Sequence, residues 1–389
     1  MADIYPTVAG AWSTRTWNVC GTGLAYGTTP QTTDRVFLNN LAITLDQDIT
    51  LDSLRNTVNG SAAAGGTLTS NTAGRNITVD TAIASGTVNL LAVTATSGTT
   101  TITGAALAIT GGSTAACIIV NAAGNVSITA SVTGGVGSAG HGIAFSSSGT
   151  HTVAGNVVGG GNANSFGITQ SGTTTLTITG NITGSTGVAV NSTAGTLAVT
   201  GDVLGGTTAS AYGISKSGGS LNLTGKSTGS ATVTASGITL SGGAATATIS
   251  STITGGGISG SYGVSFTGLG TLTANGNVVG GSVAGAYGIN ITGASTTLLN
   301  AQVSASATCS AVIDTPSQAS YIKVTNGPIV NSTGINALAV AHLCVAAAVD
   351  WTIAIGTTPP NYSGTVTIGN KSGGGPVAAR TILTNIGTY

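Results

Sequence analysis

The chain has 389 residues, of which only 5% are charged while 41% are hydrophobic and 63 are Gly. Soluble proteins ordinarily carry about a quarter charged residues; here Thr, Ser, Asn and Ala replace them and apolar residues remain plentiful, which excludes a disordered chain of high net charge. Nine Lys+Arg balance nine acids, every one of them Asp, so there is no basic footprint with which to displace counterions from nucleic acid.

The opening residues, Met1 to Gly10 (MADIYPTVAG), lack the charged and then apolar run of a secretory signal. No stretch approaches the roughly 18 uninterrupted apolar residues of a membrane helix; Ala337 to Val349 comes nearest and is broken by His342. The expectation is a protein made and folded in a cytoplasm, without a membrane partner. Residues 1–60 gather Trp12, Trp17, Tyr26 and Phe37, and from within them Arg15, Arg35 and Arg55 run on to Arg75 at equal intervals. This reads as an aromatic-rich cap followed by irregular leading coils, each as long as the arginine interval, with the arginines at solvated corners. The alternation of LAITLDQDITL, Leu41 to Leu51, is that of a half-buried strand.

Residues 61–314 are organised by a repeat. Tyr212-Gly213-Ile214, Tyr262-Gly263-Val264 and Tyr287-Gly288-Ile289 recur in weaker form at Gly142-Ile143, Gly167-Ile168, Gly187-Val188 and Gly237-Ile238, at intervals of 25, 20, 26, 24, 26 and 25 between the glycines. A second marker, GNVVGG at Gly155, returns at Gly180, Gly201 and Gly276 and in degenerate copies, at intervals of 25, 25, 21, 24, 26 and 25. Two landmarks that stay in phase through a shared short step mark a solenoid. Within Gly187 to Ala211, the pieces GVAVNS, GTLAVTG and DVLGG each alternate over four or five residues. The expected fold is therefore all-β: a right-handed parallel β-helix of three-strand coils, about 24–25 residues each. Val188, Val190, Leu197, Val199 and Val203 point inward and Thr and Ser outward. One coil cannot close its own apolar faces, so stability must come from stacking.

Beyond Pro316 the repeat fades into YIKVTNGPIV, a small-residue apolar run, Trp351, Pro359-Pro360 and the Gly-rich Gly369 to Gly375. Residues 315–389 are expected to form a small β-rich C-terminal module. The opening GAWSTRTWN, followed by TPQTTDRVFLNNLAITLDQDITLDSLRN, resembles the entry segment of β-helical proteins of tailed bacteriophages, and YIKVTNGPIVNSTG and AARTILTNIGTY resemble segments of phage fibre and decoration proteins. The resemblance covers about a quarter of the chain and implies a virion structural protein, commonly a homotrimer, that serves as a capsid decoration, head fibre or tail fibre subunit. It implies assembly in the host cytoplasm and other virion proteins as partners. Trp12, Trp17, Tyr26 and Trp351 are the candidate attachment residues. A receptor-binding tailspike that recognises host surface polysaccharide, or a bacterial surface adhesin, is the alternative.

Catalytic chemistry finds little footing. Glycoside hydrolysis needs two carboxylates about 5 to 10 Å apart, yet between Thr81 and Ala311 the one acid is Asp202, at the corner that Asn156, Asn181 and Asn277 fill in sibling coils. Asp46, Asp48, Asp52 and Asp80, near the first coils, are the remaining place for such a pair. Cys20, Cys117, Cys309 and Cys344 match no zinc spacing and read as small buried hydrophobes. His141, His151 and His342 have no orienting acid nearby and read as solvated or packed side chains. In GTVTIGNKS, Gly364 to Ser372, Asn370 separates the glycine from the lysine that a phosphate loop needs adjacent. The reading is a non-enzymatic protein with no cofactor, no metal and no nucleic-acid partner.

Overall fold

A computed structural model of the protein describes residues 2–55, 66–70, 73–83, 89–104, 107–112, 115–232, 234–242, 245–281, 283, 286–293, 295–299 and 303–304, and beyond them the backbone of eight short strands ending at Leu383–Thr384. The protein is all-β: its described residues contain no α-helix and one 3-10 turn, Trp12–Thr14. It forms two compact units, Met1–Gly201 and Asp202–Tyr389, and each is built as a parallel β-solenoid.

In the first unit a regular coil consists of three strands, such as Ile143–Phe145, Thr150–Ala154 and Val157–Val158. The first strand belongs to one sheet and the other two to a second sheet. Ile118 opposes Ile143, which opposes Ile168, and Val132 opposes Val157, which opposes Ile182, so equal steps along the chain connect neighbouring coils. The sequence period is thus the length of one coil. Alternation decides the facing: in Thr175–Thr179 (TLTIT) Leu176 and Ile178 are buried and the outer threonines exposed. Ile128, Val153, Ile178 and Val199 form one inward column.

One assignment needs correction. Gly187 is not the counterpart of Gly142 and Gly167: Ile143 N–H donates to Gly167 O at 3.1 Å, whereas Ile168 N–H donates to Ala189 O at 2.9 Å. The coil step here runs from Ile168 to Val190 and is shorter than its neighbours. Ala189 therefore takes the inner place, and Val188, expected inside, is only half-buried. Val190, Leu197, Val199 and Val203 are buried as expected.

The leading coils are irregular, but they do not share one length. Ile4 opposes Val36, Val36 opposes Leu54 and Leu54 opposes Ala82, so the middle step is little more than half as long as the first. The even arginine spacing thus does not follow the coils, and all four arginines are half-buried rather than solvated. Arg35 pairs with Asp3 at 2.6 Å, and Arg55 lies 5.8 Å from the Phe37 ring centroid.

The second unit repeats the three-strand coil. Ile214 opposes Ile238, Ile238 opposes Val264 and Val264 opposes Ile289, steps that stay close to the sequence period. Parallel pairing continues in the described backbone after residue 315, where Thr296 opposes Tyr321, Tyr321 opposes His342 and His342 opposes Thr367.

Candidate interaction surface

Regular coils carry a surface loop that in most of them leaves the third strand through Gly-Gly and returns to the next coil through an aromatic-Gly pair; the loop from Gly229-Ser230 returns through Ser236-Gly237 instead. The glycines are required by close approach. At Gly205 a Cβ would overlap Ala211 O, where the loop folds back on its own start, and at Gly213 it would overlap the Ser227 side chain. Both sequence markers are therefore the two feet of one loop. The residue before the second foot is half-buried, so its ring lies along the surface: His141 and Phe166 in the first unit, Tyr212, Tyr262 and Tyr287 in the second. Coil spacing brings such rings face to face. His141 and Phe166 stack with centroids 5.1 Å apart and planes at 10°, Tyr262 and Tyr287 at 5.7 Å and 5°. Val136 and Ile258, exposed on the same kind of loop, add apolar surface.

The acids have a different use. Asp202 Oδ1 accepts the Lys226 N–H at 3.0 Å, the bond that Asn156 Oδ1 makes with Asn181 N–H at 3.0 Å and Asn125 Oδ1 with Thr150 N–H at 3.2 Å. Each is a corner side chain holding an amide one coil away. Asp48 does the same in the leading coils, accepting Asn76 N–H at 3.0 Å and Asn76 Nδ2 at 2.8 Å; these bonds hold its carboxyl below the ordinary carboxylate range. At Asp46 partial burial acts in the opposite sense, but bonds from the Ser13 hydroxyl and from Ser13 N–H, the latter at 2.9 Å, outweigh it and lower the carboxyl too. Carboxylates kept ionised in this way are poor general acids.

Of the expected attachment residues, Trp12 and Trp17 are corrected to interior ones. They are 0% and 2% exposed, with ring centroids 4.7 Å apart, and offer no free face. Tyr26 is half-buried; its hydroxyl donates to Asp34 Oδ2 at 2.6 Å, which pushes its phenol up. Asp34 also accepts Ala2 N–H at 3.1 Å and Gln31 N–H at 2.8 Å, so it ties the start of the chain down. Trp351 lies outside the described residues, as does Cys309, and the side chains of His342 and Cys344 are likewise not described. Cys117 is buried as expected, while Cys20 is only half-buried. His141 and His151 are packed rather than solvated.

Sequence reasoning missed the polar groups placed inside the solenoid. His151, Gln170, Ser192 and Lys216 are all 0% exposed. Gln170 Nε2 donates to Thr174 O at 2.9 Å, and its Oε1 accepts the Ser192 hydroxyl at 2.7 Å. Lys216 opposes Leu240, which opposes Phe266, and burial lowers its ammonium to about 8. Reading the repeat by columns would have exposed them, since His151 stands one period from both Val126 and Leu176. No known protein family matches the chain, and no curated protein or solved structure matches it.

Proposed function

We propose that the protein is a structural component of a bacteriophage particle, a head decoration or fibre subunit or part of the tail, with no catalytic role. The observation that carries this reading is the use made of its carboxylates: Asp48 and Asp202 clip backbone amides of neighbouring coils, as Asn125 and Asn156 do. Acids spent on architecture suit a chain whose task is to hold its form. The phage setting rests on the resemblance of its two ends to phage β-helical and fibre proteins. Mass spectrometry and antibody labelling of purified particles test it: the chain should be present in fixed copy number, and its absence would overturn the assignment. Incubation with host capsule or lipopolysaccharide should release no new reducing ends; release that is lost in Asp46→Asn would overturn the non-enzymatic reading.

One observation favours a second reading, receptor binding to host surface polysaccharide. The stacked, half-buried Tyr262 and Tyr287 offer neutral aromatic faces of the kind that sugar rings cover. Binding of purified host polysaccharide that falls in Tyr262→Ala and Tyr287→Ala would support it, and undiminished or absent binding would remove it.

A further inference from the structure

Between Asp80 and Asp202 the chain carries no Asp, Glu, Lys, Arg or Tyr, and its titratable side chains are Cys117, His141 and His151. The two histidines belong to one coil. His141 Nδ1 accepts the N–H of Phe166, one coil on, at 3.0 Å while its ring stacks on Phe166. That bond requires a bare Nδ1; a proton there would set donor against donor. His151 is 0% exposed, in the inward column between Val126 and Leu176, with its ring 5.2 Å from that of Phe145. Its Nε2 meets the Ser147 hydroxyl at 3.3 Å, and its buried Nδ1 has no partner among the described residues.

Nothing nearby in the first unit supplies a counter-charge. The adjoining strands Asn125–Thr129 and Thr175–Thr179, and Ile143–Phe145 beneath the His151 ring, hold no acid. Within the first unit the nearest acid in the sequence, Asp80 on Asn76–Ile83, is separated from the His151 strand by Thr99–Thr103 and Asn125–Thr129, and Asp202 belongs to the second unit. Cys117, whose N–H donates to His141 O at 3.1 Å, stays a thiol: burial pushes it up to about 12, and its Sγ donates to Thr133 O at 2.9 Å.

We propose that the coil from His141 to Phe166 is an acid-sensitive rung, closed at neutral pH and opening locally in mildly acidic solution. Opening would give both imidazoles water, and with it the proton that the closed coil refuses. Burial holds both below the ordinary 6.5, so the open coil binds more protons than the closed one once the pH falls under that value. Closure is therefore fully stable above 6.5 and weakens as the pH drops below it.

Hydrogen exchange of the full chain, read by mass spectrometry at about pH 7.5 and about pH 5 and corrected for intrinsic exchange, tests the proposal. Peptides within 141–176 should lose protection measurably at the lower pH, while those within 238–266 keep theirs. In the His141→Asn, His151→Leu double variant, where an amide oxygen replaces Nδ1 and an aliphatic side chain completes the column, the loss should vanish. Equal loss in both regions, or loss that persists in the variant, overturns the proposal. Should the variant not fold, titration of the two imidazoles by NMR in the unmodified chain decides: midpoints below 6.5 support the rung and midpoints at or above 6.5 overturn it.

Discussion

At Val199 and Thr200 the period of two separates neighbours by face: Val199 is 1% exposed in the column of Ile128, Val153 and Ile178, and Thr200 is exposed. Val199→Asp would bury an unpaired carboxylate among aliphatic side chains, and chemical denaturation should show a loss of more than about 3 kcal/mol. Thr200→Asp should stay within about 0.5 kcal/mol, as surface substitutions do; equal losses would refute the facing. The glycines of the second marker are as constrained as the valines. Gly155 has φ +139°, and a Cβ there would overlap Ala130 O of the preceding coil. Gly155→Ala should therefore cost about 1–3 kcal/mol, measured in the same way. These positions were legible because sterics and alternation act locally. Val188 was misread because a shortened loop moved the inner place to Ala189, and nothing in the local pattern records loop length.

Among elements, the strands and the coil period could be read directly, since Tyr-Gly and Gly-Asn, or weaker copies of them, mark the loop foot and the corner through the repeat. The contents of the inward columns could not. Ile214–Lys216 (ISK) has the same burial pattern as Ile238–Leu240 (ITL), and only the register puts Lys216 in line with Leu240 and Phe266. Burial favours the neutral amine, lowering the folded value from 10.5 to about 8. Above about 8 the folded chain gives up a proton that the unfolded chain keeps to 10.5, so stability contributed at this site rises with pH across that window. Urea denaturation from neutral to alkaline pH should show the unmodified protein gaining stability relative to Lys216→Met as the pH climbs from about 8 towards 10.5. A constant difference between the two would show that the amine carries no such penalty. The leading coils resisted reading for another reason: the unequal steps from Ile4 to Val36, Leu54 and Ala82 leave no period to detect, and the evenly spaced arginines supplied a false one.

For the whole molecule, a nearly uncharged surface governs behaviour in solution. The chain has nine basic and nine acidic residues in 389, and the long stretch from Thr81 to Gly201 has none. Outward faces of Thr and Ala, as in Thr150–Ala154 and Thr175–Thr179, therefore lack the like-charge repulsion that keeps ordinary domains apart. Stacked short coils expose much lateral surface for the core they enclose, which adds to the gain from association. Open-ended association would give filaments, whereas closed cyclic symmetry buries equivalent faces and stops. We predict a homotrimer, the state implied by the resemblance to phage fibres. Size exclusion coupled to light scattering at micromolar concentration should give a single species of three chains, independent of moderate salt because few charges are involved. A stable species of 37.0 kDa, the mass of one chain, would refute it.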